Sequence, residues 1–203
     1  MKKNHFLIAF FLVFFVAGNV AVFARTSAMK EFFDSVAAEF TGSPAPHTLA
    51  AAGTIEVAFS PNNGATAIVV KALEEAKESI LVQAYSFTSA PIAKALVDAK
   101  TRGVDVKVIL DKSQLQERYT SATFIANHDI PVRIDMQHAI AHNKVIIYDE
   151  QNVITGSFNF TRAAEERNAE NVLVLRANPE LAKLYSQNWR AHWGHSKEYQ
   201  RGG

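Results

Sequence analysis

Residues 142–159, HNKVIIYDEQNVITGSFN, constrain this chain more than any other stretch. His142 and Lys144 are two apart, and side chains at i and i+2 of an extended chain point to the same side. Val145 to Tyr148 is an apolar, β-branched run that favours a strand. Asp149, Glu150, Gln151 and Asn152 read as a turn, and Val153, Ile154 and Thr155 as the returning strand. Gly156, Ser157 and Asn159 close the stretch. A hairpin of this kind brings Ser157 and Asn159 back beside His142 and Lys144. An imidazole, an ammonium, a hydroxyl and an amide then surround one point, a setting suited to a phosphoryl group.

Phosphodiester hydrolysis needs a nucleophile, a proton for the leaving oxygen and positive charge near the phosphoryl oxygens. Histidine serves as nucleophile or acid because it titrates near neutrality. Lys144 is a compact point charge for a phosphate oxygen, and Ser157 and Asn159 supply hydrogen-bond donors.

The same residues carry a family resemblance. His142, Lys144 and Asp149 fit the pattern HxKxxxxD, and Gly156, Ser157 and Asn159 fit the GSxN that follows it. Together they resemble the HKD signature of the phospholipase D superfamily. The wider run from Gln137 to Leu175 is similar to the small Nuc-type bacterial endonucleases of that superfamily, with similarity from about Val57 to about Trp193. The resemblance implies an α-β-α sandwich around a mixed sheet and hydrolysis of DNA phosphodiesters without a metal or other cofactor. One histidine attacks phosphorus to give a phosphohistidine, a second protonates the leaving group, and water resolves the intermediate. It also implies that Glu170 orients the histidine through its second ring nitrogen. For Asp149, in a turn five residues beyond Lys144, a structural role at the hairpin is expected, with Gly156 beside it as a motif residue.

That mechanism needs two histidines, and the chain has one full motif. The residue two beyond His47, His128, His138 or His192 is not lysine. His195-Ser196-Lys197 begins an HxK, but position 202 is glycine where an aspartate is wanted, and the chain ends before any GSxN. It reads as a chance match in a loose tail. A twofold homodimer sharing one site between the two copies of His142 resolves the shortage, and the small members resembled are built that way.

Compartment and charge narrow the partners. Lys2 and Lys3 precede an apolar run from Phe6 to Ala17, and Val22-Phe23-Ala24 offers a cleavage site. Residues 1–24 therefore read as a signal peptide, with an uncleaved membrane anchor as the alternative; the leader sends the chain across the inner membrane, to the periplasm, with no stable membrane association after cleavage. The whole chain carries 21 Lys+Arg against 20 Asp+Glu. Losing Lys2 and Lys3 leaves a formal charge of −1, so binding of DNA or RNA must rely on a local positive groove. His138, Lys112, Arg118, Arg162 and Arg167 are candidates for that groove, as contacts to the phosphate backbone. The chain has no cysteine, which rules out disulfides and thiolate zinc sites.

The remaining pattern alternates strands and helices. Arg25 to Phe40 reads as an amphipathic helix and residues 41–52 as a linker, so 25–52 precede a nuclease domain over 53–193, followed by a flexible tail over 194–203. Within the domain, strands are expected over Thr54 to Phe59, Ser79 to Tyr85, Val104 to Leu110, Val132 to Ile134 and Asn171 to Leu175. Helices are expected over Ala65 to Lys77, Pro91 to Thr101, Ser113 to Asn127 and Glu180 to His192. The class is α/β, a mixed sheet flanked by helices, and local pattern leaves the strand order open. Two enzymatic functions compete. A lipid phosphodiesterase or transphosphatidylase shares the phosphodiester chemistry of the endonuclease, but such enzymes generally carry two motifs in a longer chain. A noncatalytic nucleic-acid binder would not need the full His–Lys–Ser–Asn set.

Overall fold

The computed structural model describes residues 46–117 and 120–200. The expected leader, the helix over 25–40 and Arg118 lie outside these residues. Eight strands form one sheet in the order β1-β7-β6-β5-β2-β3-β4-β8. The strands are β1 (Thr54–Ser60), β2 (Ser79–Ala84), β3 (Asp105–Asp111), β4 (Val132–Asp135), β5 (Lys144–Tyr148), β6 (Asn152–Gly156), β7 (Glu170–Arg176) and β8 (Lys197–Glu198). The helices are α1 (Ala65–Glu75), α2 (Ala90–Thr101), α3 (Ala122–Ala126), α4 (Arg162–Glu166) and α5 (Pro179–His195). β2, β3 and β4 run parallel, while β5 joins β2 antiparallel and is followed by antiparallel β6 and β7. β1 closes the far edge by pairing antiparallel with β7, Ser60 opposite Glu170. This is the mixed α/β/α sandwich expected from the sequence, with a strand order that local pattern could not supply.

Both faces of the sheet are covered, which explains why all five residues of β5 are buried. Ile146 and Tyr148 face the core that contains Val69 and Leu73 of α1 and Ile92 and Leu96 of α2. Val145 and Ile147 face the opposite side, where Ala182 and Trp189 of α5 pack. Strict alternation along an extended strand produces this division. The Trp189 indole N–H donates to the Val82 carbonyl at 2.9 Å, which anchors α5 across the middle of the sheet. α2 starts with Pro91 in its first turn, where a missing N–H costs nothing. It ends at Gly103, whose φ of 94° suits glycine.

Two segments differ from expectation. A single helix over Ser113 to Asn127 is replaced by a 3-10 turn, Lys112–Leu115, and the short α3. Polar side chains bind the backbone here instead of extending a helix. Asp111 accepts from the Ser113 N–H at 2.8 Å, and the Gln114 side-chain oxygen accepts from the buried Phe87 N–H at 3.2 Å. The expected loose tail is also ordered as far as residue 200. α5 continues to His195, and β8 pairs with β4 through Lys197 opposite Ile134 and Glu198 opposite Arg133. The reason lies in one local cap and two hydrogen bonds between segments distant in sequence. Ser196 caps the helix by donating to the His192 carbonyl, the Tyr199 N–H donates to the Val132 carbonyl, and the Arg133 guanidinium donates to the Trp193 carbonyl at 2.6 Å. Among the described residues no helix is long and apolar enough to cross a membrane.

Candidate active site

The motif residues gather at one end of the four adjacent strands β2, β5, β6 and β7. Lys144 pairs with Ala84 at the end of β2, and Gly156 at the end of β6 pairs with Val172 near the start of β7. Tyr85 continues β2 past this pairing, and its N–H donates to the Asn143 carbonyl at 2.8 Å. The Tyr85 ring lies 4.6 Å from the ring of His142, and Lys144 Nζ stands 5.2 Å from the Tyr85 centroid. Tyr85 therefore backs both residues of the HxK pair. His142 is exposed, and among the described residues its ring makes no hydrogen bond.

Lys144 is only 7% exposed. Its ammonium donates to the His142 carbonyl at 2.9 Å. Burial pushes its pKa down, and the nearby negative charge of Glu170 partly offsets that shift. A desolvated ammonium with one neutral acceptor is poised to take an anion, since an incoming phosphate oxygen would restore the solvation that burial removed.

The chain leaving β6 is placed by a close backbone approach. A Cβ on Gly156 would lie 2.3 Å from the Asn171 carbonyl oxygen, so only glycine fits there. The N–H groups of Ser157 and Phe158 both donate to that carbonyl, each at 3.1 Å. Phe158 and Phe160 are buried at 1% exposure each, while Ser157 and Asn159 alternate with them toward the opposite side. Burying each phenyl ring contributes about 1.5–3 kcal/mol, so the core fixes where Ser157 and Asn159 point. Ser157 Oγ accepts from the backbone N–H and the side-chain amide of Asn171, at 3.1 and 3.2 Å. With both acceptor positions occupied, its O–H is left to donate. The Asn159 side-chain oxygen is buried and has no partner.

Glu170 opens β7 and accepts from the Asn168 amide at 3.3 Å. Among the described residues no hydrogen bond joins it to His142, the role the resemblance implied. Its charge acts on Lys144 instead. The Asp149 carboxylate is turned away from the motif and accepts from the N–H groups of Lys77, Glu78 and Ser79 at 2.8–3.1 Å. It thereby ties the β5–β6 turn to the entrance of β2. Replacing Asp149 with Ala is expected to lower stability by about 1–3 kcal/mol, because three backbone donors lose their acceptor. The specific activity of the folded fraction should stay unchanged. Thermal melts beside activity per folded molecule check this, and a normal melt with lost activity would contradict it.

The proposed groove residues scatter. Lys112 donates to the His138 carbonyl at 2.9 Å and holds the loop between β4 and β5. Arg162 is exposed and paired with Glu166 at 2.6 Å, and Arg167 is exposed after α4. His138 follows the end of β4, at the same end of the sheet as Lys144 but on the far side of β3. It turns to Asp135, a fully buried carboxylate at the end of β4.

Asp135 is the centre of a group that the sequence reading missed. Its Oδ2 lies 2.9 Å from His138 Nδ1, 2.8 Å from His192 Nδ1 and 3.3 Å from His195 Nε2. Its Oδ1 accepts from the N–H groups of Gln137 and His138 at 3.0 and 3.3 Å. Burial alone would raise the Asp135 carboxyl, but the hydrogen bonds from His192, His138 and His195 outweigh it. They hold the group far below the usual carboxylate range. A signal was present in the sequence as two pairs at i, i+3, Asp135 with His138 and His192 with His195. One helical turn puts the second pair on one face, but no local rule joins the two pairs.

Comparison with known proteins agrees with the geometry. The family model described as cardiolipin synthase, PLD-like domain, matches residues 69–193. A phospholipase D of Rickettsia typhi is 47% identical over 135 residues, which span 66% of this chain and 66% of that protein. A mitochondrial cardiolipin hydrolase of Mus musculus is 30% identical over 125 residues, spanning 62% of this chain and 56% of that protein. Among solved structures, a phospholipase D family member, Nuc from Salmonella typhimurium, is 44% identical with a TM-score of 0.70, covering 72% of this chain and 98% of that one. Its α/β/α sandwich is the architecture found here, with an arrangement at the strand ends suited to phosphodiester chemistry. With a family model matched over more than half its length, the chain belongs to the phospholipase D superfamily.

Proposed function

We propose that the chain is a metal-independent, largely sequence-nonspecific endonuclease that cleaves DNA phosphodiester bonds through a phosphohistidine on His142. The observation that carries this reading is the pairing of an exposed His142 with a buried, desolvated Lys144 at one end of the central strands. Lys144 binds a non-bridging phosphoryl oxygen, and Ser157 and Asn159 donate to the same group, so positive charge and donors are in place before the reaction. His142 attacks phosphorus and the leaving oxygen departs with a proton from a second imidazole. That imidazole is His142 of a second copy, in a homodimer whose twofold axis passes through the site. Hydrolysis of the phosphohistidine then restores the enzyme. The negative charge of Glu170 partly offsets the effect of burial on Lys144. Arg162 and Arg167 contribute to the path of the nucleic-acid backbone. A leader over residues 1–24 would deliver the enzyme to the periplasm.

A lipid phosphodiesterase is the second reading, and one observation favours it. Met136 and Ile140, in the loop that leads to His142, are 41% and 60% exposed, a feature suited to contact with acyl chains. The Rickettsia phospholipase D and the mouse cardiolipin hydrolase, as similar proteins, point the same way.

One assay separates them: the mature protein on DNA, RNA and phosphatidylcholine vesicles, each in excess EDTA. Cleavage of DNA that persists under chelation, with the vesicles intact, is the expected result. Headgroup release without DNA cleavage would establish the lipid enzyme. Loss of DNA cleavage that magnesium restores would contradict the metal-free mechanism.

A further inference from the structure

We infer that Asp135, His138, His192 and His195 form a binding site for one divalent transition-metal ion, with zinc as the best match, that clasps the C-terminal helix to the loop preceding His142. It shares no residue with the phosphoryl site at His142 and Lys144. The four ligand atoms lie within 4.8 Å of one another. In a tetrahedral zinc site with bonds of about 2.0–2.1 Å, ligand atoms stand about 3.3–3.4 Å apart. The separations of 2.8, 2.9 and 3.3 Å from Asp135 Oδ2 need only slight opening to reach that spacing.

Hydrogen bonding alone accounts poorly for the cluster. A carboxylate offers roughly four lone-pair positions. Asp135 is asked to serve two backbone N–H groups on Oδ1 and three ring nitrogens on Oδ2. Each ring would also have to point an N–H at the same oxygen, crowding three protons around one atom. A cation at the centre removes the conflict, because Oδ2 and the three ring nitrogens then each direct a lone pair at the ion. The two backbone donors remain on Oδ1 and orient the carboxylate, the usual outer support of a metal ligand.

The donor set selects the ion. Three imidazoles and one carboxylate suit zinc and its neighbours, whereas calcium and magnesium require oxygen. Four protein ligands fill a tetrahedral shell, which marks a structural site. Its placement agrees: Asp135 ends β4, His138 stands in the β4–β5 loop, and His192 and His195 are in the last turn of α5. His138 is 42% exposed at its side chain, so an ion can enter from solvent.

The test uses the full-length mature chain, purified without an oligohistidine tag. After EDTA treatment and its removal, zinc chloride is titrated by calorimetry, and thermal melts are recorded with and without zinc. Bound metal is counted by elemental analysis. One zinc per chain and a higher melting temperature are expected. Cobalt should give the intense visible absorption of a tetrahedral site. In His195→Gln and, separately, His138→Gln, zinc affinity should fall by more than the roughly 10–100-fold that loss of a supporting outer residue costs, and the thermal shift should vanish. Zinc bound well below one per chain with no thermal shift overturns the inference, as does an equal shift in both variants. His138→Gln lies in a half-exposed loop position, so it reports on binding even where a helix variant folds poorly. None of these readouts uses substrate, so failure of the nuclease reading leaves them intact.

Discussion

Replacing His142 with Ala is expected to reduce turnover on the order of 10^4- to 10^6-fold, the size of loss seen when a covalent nucleophile is removed. The fold should be unaffected. His142 is exposed, its contact is with the Tyr85 ring, and β5 begins only at Lys144. Thermal melts, sedimentation and single-turnover kinetics on the purified variant check this together. The two-copy mechanism adds a sharper expectation. In mixed dimers with one wild-type and one His142→Ala chain, the shared site keeps one imidazole of the two it needs. Such dimers should be nearly inactive, and half the wild-type activity would show that each chain works alone.

The second large effect concerns Lys144. Replacing it with Met keeps the stem volume and removes the charge. Turnover is expected to fall by roughly 10^2- to 10^3-fold, as for loss of one donor to a developing oxyanion. Stability should move the other way. Burial lowers the Lys144 pKa in the folded chain below its ordinary value of 10.5. Above the folded value and below 10.5, the unfolded chain binds more protons, so stability rises with pH across that window. Below the window the buried ammonium is a standing cost. Lys144→Met should therefore melt at or above the wild-type temperature near neutrality and lose the alkaline gain. Melting curves from pH 7 to 10.5 measure both, and a variant less stable than wild type at neutral pH would show that the ammonium stabilises its surroundings.

Much of the fold was legible because hydrophobic period is a local signal. The apolar, β-branched run Val145 to Tyr148 favours a strand, and β5 is one, buried on both faces. Helix ends were legible where Pro91 and Gly103 punctuate them. What could not be seen depends on partners far apart in the chain. The pairing of β1 with β7 joins Thr54 to Arg176, and no property of either segment names the other. The break at Ser113 follows from Gln114 reaching Phe87, again a contact invisible to periodicity.

The site divides in the same way. His142, Lys144, Ser157 and Asn159 sit at one end of adjacent strands because β5 and β6 are a hairpin, and hairpins are local. The close approach that demands Gly156 comes from Asn171 of the next strand. Sequence spacing located the glycine and the structure supplies its reason. Among the described residues Glu170 makes no hydrogen bond to His142, and its charge reaches Lys144; its location depends on how β7 pairs with β6. The order of the tail also depends on contacts distant in sequence. Asp135 is buried and gathers His138, His192 and His195, which turns a polar terminus into an ordered edge.

The most direct test of the central claim is to quench the mature enzyme during turnover of a DNA substrate at alkaline pH, where phosphohistidine survives, and map the modified peptide by mass spectrometry. The account predicts a covalent phosphoryl-linked adduct on His142, on no more than one chain of each dimer. An adduct on His138, His192 or His195, or on both chains of a dimer at once, would contradict it.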